Sequence, residues 1–161
     1  MRRQDKGTIS RSKLETVETT FRNRLNGLVK SGEWIPDYDV GPNELRIELW
    51  DGIHADRSRF DVAWWTKHGY RYHYVEDGGG SESDSHDSER DSTGLQFRFG
   101  WENRPEYPDK HFHPPENLDA HRESCIEHED VKRVTLAVIK CWHAAATASD
   151  PEKLNALSNP P

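Results

Sequence analysis

A chain of 161 residues has the length of one compact domain with its own core and is short for two. Hydrophobic and charged residues each make up 32%, so the core is small, and six Trp, five Tyr and five Phe must supply much of its buried area. The formal charge of −7 argues against general attraction to phosphate backbones, though a local basic groove within an acidic surface remains compatible with it. No apolar run nears the roughly 18 residues of a membrane span. The Met1-Arg2-Arg3 start lacks the apolar stretch of a signal, so a soluble, cytoplasmic protein with no membrane contact is expected. Cys125 and Cys141 are too few for a disulfide framework and read as reduced thiols.

Leu14, Val17, Phe21, Leu25 and Leu28 recur at three- and four-residue steps, which predicts an amphipathic helix. Ser10 or Ser12 is suited to cap it, and Ser31-Gly32 to stop it. Strand patterns follow: Leu45, Ile47 and Leu49 alternate with Glu44, Arg46 and Glu48, then Phe60, Val62 and Trp64 alternate with Asp61, Ala63 and Trp65. Asp51-Gly52 reads as a turn between them. Next, Tyr70, Tyr72 and Tyr74 share one face of a strand, and Arg71, His73 and Val75 the other.

The run from Glu76 to Ser92 holds no apolar residue able to repay the entropy of ordering it, which predicts a flexible acidic Gly/Ser insert at 77–92. A further strand carries Leu95, Phe97, Phe99 and Trp101 inward, with Gln96, Arg98 and Glu102 opposite. Asp130 is suited to cap a second helix, marked by Val131, Val134, Val138, Ile139 and Trp142. The expected architecture is α+β: an antiparallel sheet with an N-terminal and a C-terminal helix packed on one face. Residues 1–145 form the domain, and 146–161 a weakly ordered tail.

The segment GLQFRFGWENRPEYPDKHFHPPEN, residues 94–117, gathers donors, acceptors and titratable groups in a Pro-punctuated connection. Loops held by a rigid scaffold are where chemistry and recognition usually sit. His111 and His113, two apart on an extended backbone, present both imidazoles to one side and Phe112 to the other, and Pro114-Pro115 keeps the chain from turning helical. Such a pair can divide general base and general acid work near neutral pH. Arg98, Arg104 or Lys110 would then stabilise a phosphorane-like charge if the substrate were RNA. Arg71 and His73 are the expected outward neighbours of Arg98.

Blander readings stand beside this one. Histidines after a strand can simply donate to carbonyls and order a loop, and Glu102-Asn103 can be a turn. A zinc-stabilised domain is a second alternative, since His111 and His113 together with His121, Cys125 and His128 are ligand types zinc prefers, and a helix over 121–128 would stack the last three on one face. The third is a noncatalytic module binding a protein through its exposed strand face and Pro-rich loop.

The arrangement of RYHYVE, a polar insert, FRFGWENRPEYPDKHFHPPEN and a helix resembles the TumE-like toxin family of prokaryotic toxin–antitoxin systems over about residues 69–142. The HFHPP string is similar to that of relatives in salt-loving archaea. Carried over by position, the resemblance implies a functional set of Arg98, Glu102, Asn103, His111 and His113, with Glu102 standing where the family commonly has Asp. It implies a toxin acting on RNA with a cognate antitoxin as partner; the two-histidine reading of the residues, for its part, expects no cofactor or metal in the reaction. The acidic insert and the greater length depart from the compact members.

Overall fold

A computed structural model describes residues 7–37, 41–77, 93–102 and 108–157. Helix α1, Arg11–Arg24, begins where the Ser10 side chain accepts a hydrogen bond from the Lys13 amide. Leu14, Val17 and Phe21 line its buried stripe. It stops earlier than the periodicity predicts, because the chain turns through Leu25–Leu28 with Gly27 at φ +92°, a left-handed conformation that costs glycine little. Ser31-Gly32 therefore lies inside a strand that the sequence pattern did not announce.

Among the described residues seven strands follow in a simple antiparallel meander, each paired with its chain neighbour: β1 Val29–Asp37, β2 Gly41–Leu49, β3 Ser58–Trp64, β4 Tyr70–Asp77, β5 Thr93–Trp101, β6 Lys110–His113 and β7 Arg122–Glu123. Helix α2, Val131–Ala148, starts at Asp130, whose carboxylate accepts from the Arg133 amide. The fold is the α+β arrangement expected, with both helices set on the aromatic face of the sheet. Most of the expected insert, 78–92, lies outside the described residues. Past residue 145, α2 continues to Ala148, Ser149 closes it in the left-handed region, and a 3-10 turn at Pro151–Lys153 delivers Leu154 into the core.

Register explains the two faces. Ile47, Phe60, Tyr74 and Phe97 are direct cross-strand neighbours, as are Leu45, Val62, Tyr72, Phe99 and Phe112. All are buried, and the rings of Phe60, Tyr74, Phe97, Phe99 and Phe112 touch in series with centroids 4.8 to 6.0 Å apart. A hydrogen-bond chain fastens α2 to this face: Trp64 Nε1 donates to Tyr72 Oη at 2.8 Å, Tyr72 lies 2.6 Å from Thr135 Oγ1, and Thr135 donates to the Val131 carbonyl at 2.8 Å. Thr135 has one proton and gives it to the helix, so Tyr72 is the donor in the middle link.

The opposite face carries the polar alternates. Arg46, Asp61, His73, Arg98 and His113 form one transverse row across five strands. Ala63, Arg71, Gly100, His111 and Glu123 form the next. Asp61 receives both Arg46 and Arg59, at 2.8 and 3.2 Å, so it is neutralised within the sheet.

Candidate functional site

The sheet's open face ends in a concavity where β4, β5 and β6 meet. Its walls include Arg71, Arg98, Glu102, His111, His113 and His121, and it encloses about 140 Å³. That is room for about four or five waters at ~30 Å³ each, or for one phosphate-sized group. Larger hollows exist, one of about 620 Å³ between α1 and α2, but it is walled largely by threonines and helix surface residues and gathers no imidazole.

Strand geometry places the first two histidines as the spacing predicts. His111 and His113 lie on one side of β6, their ring centroids 5.0 Å apart, and Phe112 enters the core on the other side. Their orientation is set by main-chain acceptors. His113 Nδ1 is 2.6 Å from the Leu118 carbonyl and His111 Nδ1 is 3.3 Å from that of Pro108. A carbonyl only accepts, so in both rings Nδ1 carries the proton and Nε2 is the basic nitrogen.

Gly100 makes the site possible. It pairs with His111 across the β5–β6 ladder, and a Cβ placed there would come within 2.7 Å of His111 Nε2. The missing side chain leaves the space that the His111 ring occupies.

Burial sets the charge state. His111 is pushed down to about 4, first by desolvation and then by its neighbours His113 and His121, against an opposing bond to Pro108. His113 is also lowered, by burial first, with Arg98 and His121 adding repulsion. Both rings are therefore neutral at neutral pH, which suits a general base. Arg98 is depressed from its ordinary value by burial and by Arg71, and its Nε is buried without a hydrogen-bond partner among the described residues.

The remaining expected residues separate into groups. Arg71 and Glu102 reach the cavity; Arg71 donates to Glu44 at 2.9 Å, and the Glu102 amide donates to the Asp109 carbonyl. His73 is the register neighbour of Arg98, but its Nε2 is held by Gln96 at 2.9 Å and it lies outside the cavity wall. Lys110 is turned away, pairing with Glu129 at 2.6 Å and standing over the Trp101 ring. Asn103 and Arg104 lie outside the described residues.

His121 joins His111 and His113 at the site, away from the Cys125 and His128 that a helix would have set beside it. Its ring is 4.5 Å from His113 and 5.4 Å from His111. Residues 121–128 are not helical; Arg122 and Glu123 pair with β6, so His121, Cys125 and His128 do not stack on one face. Among the described residues, no group of three or more His, Cys, Asp or Glu side chains has the geometry to hold a metal. The signal that His121 returns to the site was present in the turn-rich PPENLDA run, where Asn117 and Ala120 amides bond back to Pro114 and Asn117 carbonyls.

A small α+β domain that gathers neutral imidazoles and a half-buried arginine on the open face of its sheet has the parts of a polar recognition or acid–base site. The family model described as Toxin TumE matches residues 25–143, and the chain belongs to that family. Membership makes it a toxin-type member of a toxin–antitoxin pair, with an antitoxin as counterpart. Comparison with curated proteins and with solved structures found no match. No helix among the described residues is long and apolar enough to cross a membrane.

Proposed function

We propose that the protein is a cytoplasmic toxin that cleaves RNA as a metal-independent endoribonuclease and is held in check by its cognate antitoxin. The observation that carries this reading is the pairing of two neutral, carbonyl-oriented imidazoles with Arg98 around one phosphate-sized cavity. A 2′-hydroxyl gives its proton to a basic Nε2, with His113 best placed because it sits directly opposite Arg98. The 2′-oxygen then attacks the adjacent phosphorus, and Arg98 stabilises charge gathering on the phosphoryl oxygens.

The depressed pKa serves the second half of the reaction. An imidazolium formed beside Arg98 in a buried site is a stronger acid than a free one, so it returns the proton readily to the departing 5′-oxygen. His111, the neighbouring neutral ring, presents a second basic Nε2 that can accept the same proton. Glu102 and Arg71 contribute as wall residues, and Asn103, Arg104 and His73 as contacts for the flanking nucleotides, while Lys110, held by Glu129, takes no part.

The test is cleavage of a defined RNA by purified protein in the presence of a chelator, with ends analysed for 2′,3′-cyclic phosphate. His111→Ala combined with His113→Ala should abolish product while circular dichroism stays unchanged. Full activity in the folded double variant would end the catalytic assignment, and RNA binding without cleavage by the wild type would favour a noncatalytic module.

A further inference from the structure

Beneath the histidine cavity, on the helix side of the sheet, Cys125 and Cys141 bring their sulfurs to 3.7 Å. Both are free thiols; Cys125 is half-buried at the segment following β7, and Cys141 is fully buried on α2. Disulfide formation requires the sulfurs to close to about 2.05 Å, a step within reach of side-chain rotation when they already touch. The two residues are 16 apart in the chain, so the link would join the last strand's continuation to the middle of α2.

We infer that Cys125 and Cys141 form a reversible dithiol–disulfide site, oxidised by a peroxide, that clamps the β7 flank of the histidine cavity onto α2. This proposal does not depend on RNA being the substrate.

The surroundings favour an ordered, intramolecular reaction. The Cys125 amide donates to Asn155 Oδ1 at 2.8 Å, and Asn155 Nδ2 donates to the Glu123 carbonyl at 2.9 Å, so the strap carrying the outer thiol is already held. Ser124 N donates to the Lys110 carbonyl and Ile126 is fully buried, which pins the strap on both sides of Cys125. Tyr70 connects this region to the site: it lines the histidine cavity and lies within electrostatic reach of both sulfurs. The thiols also differ. Hydrogen bonding from Cys141 lowers Cys125, and the same bond together with burial raises Cys141, so the more accessible sulfur is the better thiolate.

The chemistry balances with hydrogen peroxide as the two-electron oxidant. The Cys125 thiolate attacks one peroxide oxygen, the O–O bond breaks, and hydroxide leaves with a Cys125 sulfenic acid formed. Cys141 then gives up its proton and attacks the Cys125 sulfur; the S–O bond breaks and the oxygen departs as water. Net, two thiols and one peroxide give one disulfide and two waters, and a dithiol reductant reverses the outcome.

The experiment treats the full chain with one equivalent of hydrogen peroxide, quenches it, unfolds it and alkylates any remaining thiol before intact-mass analysis. The expected result is a monomer lighter by two hydrogens that takes up no alkylating agent, regains both thiols with dithiothreitol, and shows slower amide exchange over Arg122–Ile126. Cys125→Ser should remove the mass change under the same treatment. Two alkylatable thiols after peroxide, a sulfinic acid on Cys125 with Cys141 still free, or a bridge found only between chains would each overturn the proposal. Because the wild-type measurement stands alone, poor folding of a Cys141 variant would not rescue it.

Discussion

Gly100 and His111 face each other across β5 and β6, and the absence of a side chain at Gly100 is what gives the His111 ring its place. A Cβ there would sit 2.7 Å from Nε2, closer than any real contact, so Gly100→Ala must displace the ring or part the strands. Gly100 is absent from the glycines with positive φ, so the cost is steric and not conformational. Gly100→Ala should lower stability by about 1–3 kcal/mol, the usual range for overpacking, while reducing RNA cleavage by at least about tenfold, as expected when a reacting group is misplaced. Urea denaturation and single-turnover cleavage check the two halves; a variant with wild-type cleavage would show that the His111 ring position is irrelevant.

Stability should fall with pH in a definite window. His111 and His113 are ordinary at 6.5 when unfolded, but the fold holds His111 near 4 and His113 below its ordinary value. Below pH 6.5 the unfolded chain takes up protons that the folded chain refuses, so stability is present above that pH and is lost as pH drops toward about 4, where the folded protein begins to protonate too. Denaturation midpoints at a series of pH values across this window should show the decline, and His111→Asn should flatten it. An equally steep decline in that variant would assign the effect to other groups.

Arg98 and His113 are paired across the ladder and repel one another when His113 is charged. Replacing the guanidinium by an uncharged chain of similar volume, Arg98→Met, should let His113 titrate at higher pH, and His73 as well, since Arg98 lowers both. The rise should be partial, because burial is the larger cause in each case. Nuclear magnetic resonance titration of the imidazole protons reads this directly. Cleavage should fall by roughly 10²-fold if Arg98 stabilises the phosphoryl charge; unchanged cleavage with shifted histidines would leave Arg98 an electrostatic neighbour only.

Local patterns made much of this legible in advance. Period-two alternation over 44–49, 60–64, 70–75 and 95–101 specified both faces of the central strands, because one face is fully buried and a register slip would expose it. The HxH spacing specified two imidazoles on one side of β6. What the sequence concealed depends on contacts between distant residues. β1 reads VKSGEWIPD, with too little alternation to announce a strand, and forms by pairing with β2. His121 reaches His113 only because β7 folds back on β6, and Cys125 meets Cys141 only because α2 packs beneath that flank. Glu76 read as the first residue of a solvated acidic run, yet it is buried.

That carboxylate supports the last expectation. Glu76 accepts from the amides of Ile53, His54 and Ala55 and from the Tyr74 hydroxyl, so one side chain satisfies the backbone of the β2–β3 connection. Gly52 permits the approach, since a Cβ there would lie 2.9 Å from the Glu76 oxygen and 2.8 Å from the Ala55 carbonyl. Removing the carboxylate strands several inward-facing donors at once. Glu76→Ala should therefore cost about 2–5 kcal/mol, and Glu76→Gln about 1–3 kcal/mol because its amide nitrogen opposes a donor. Glu76 is not part of the histidine cavity, so cleavage per folded molecule should be unchanged in both variants. A Glu76→Ala protein within about 0.5 kcal/mol of wild type, the scale of a neutral surface substitution, would show that water replaces the carboxylate and that the connection does not depend on it.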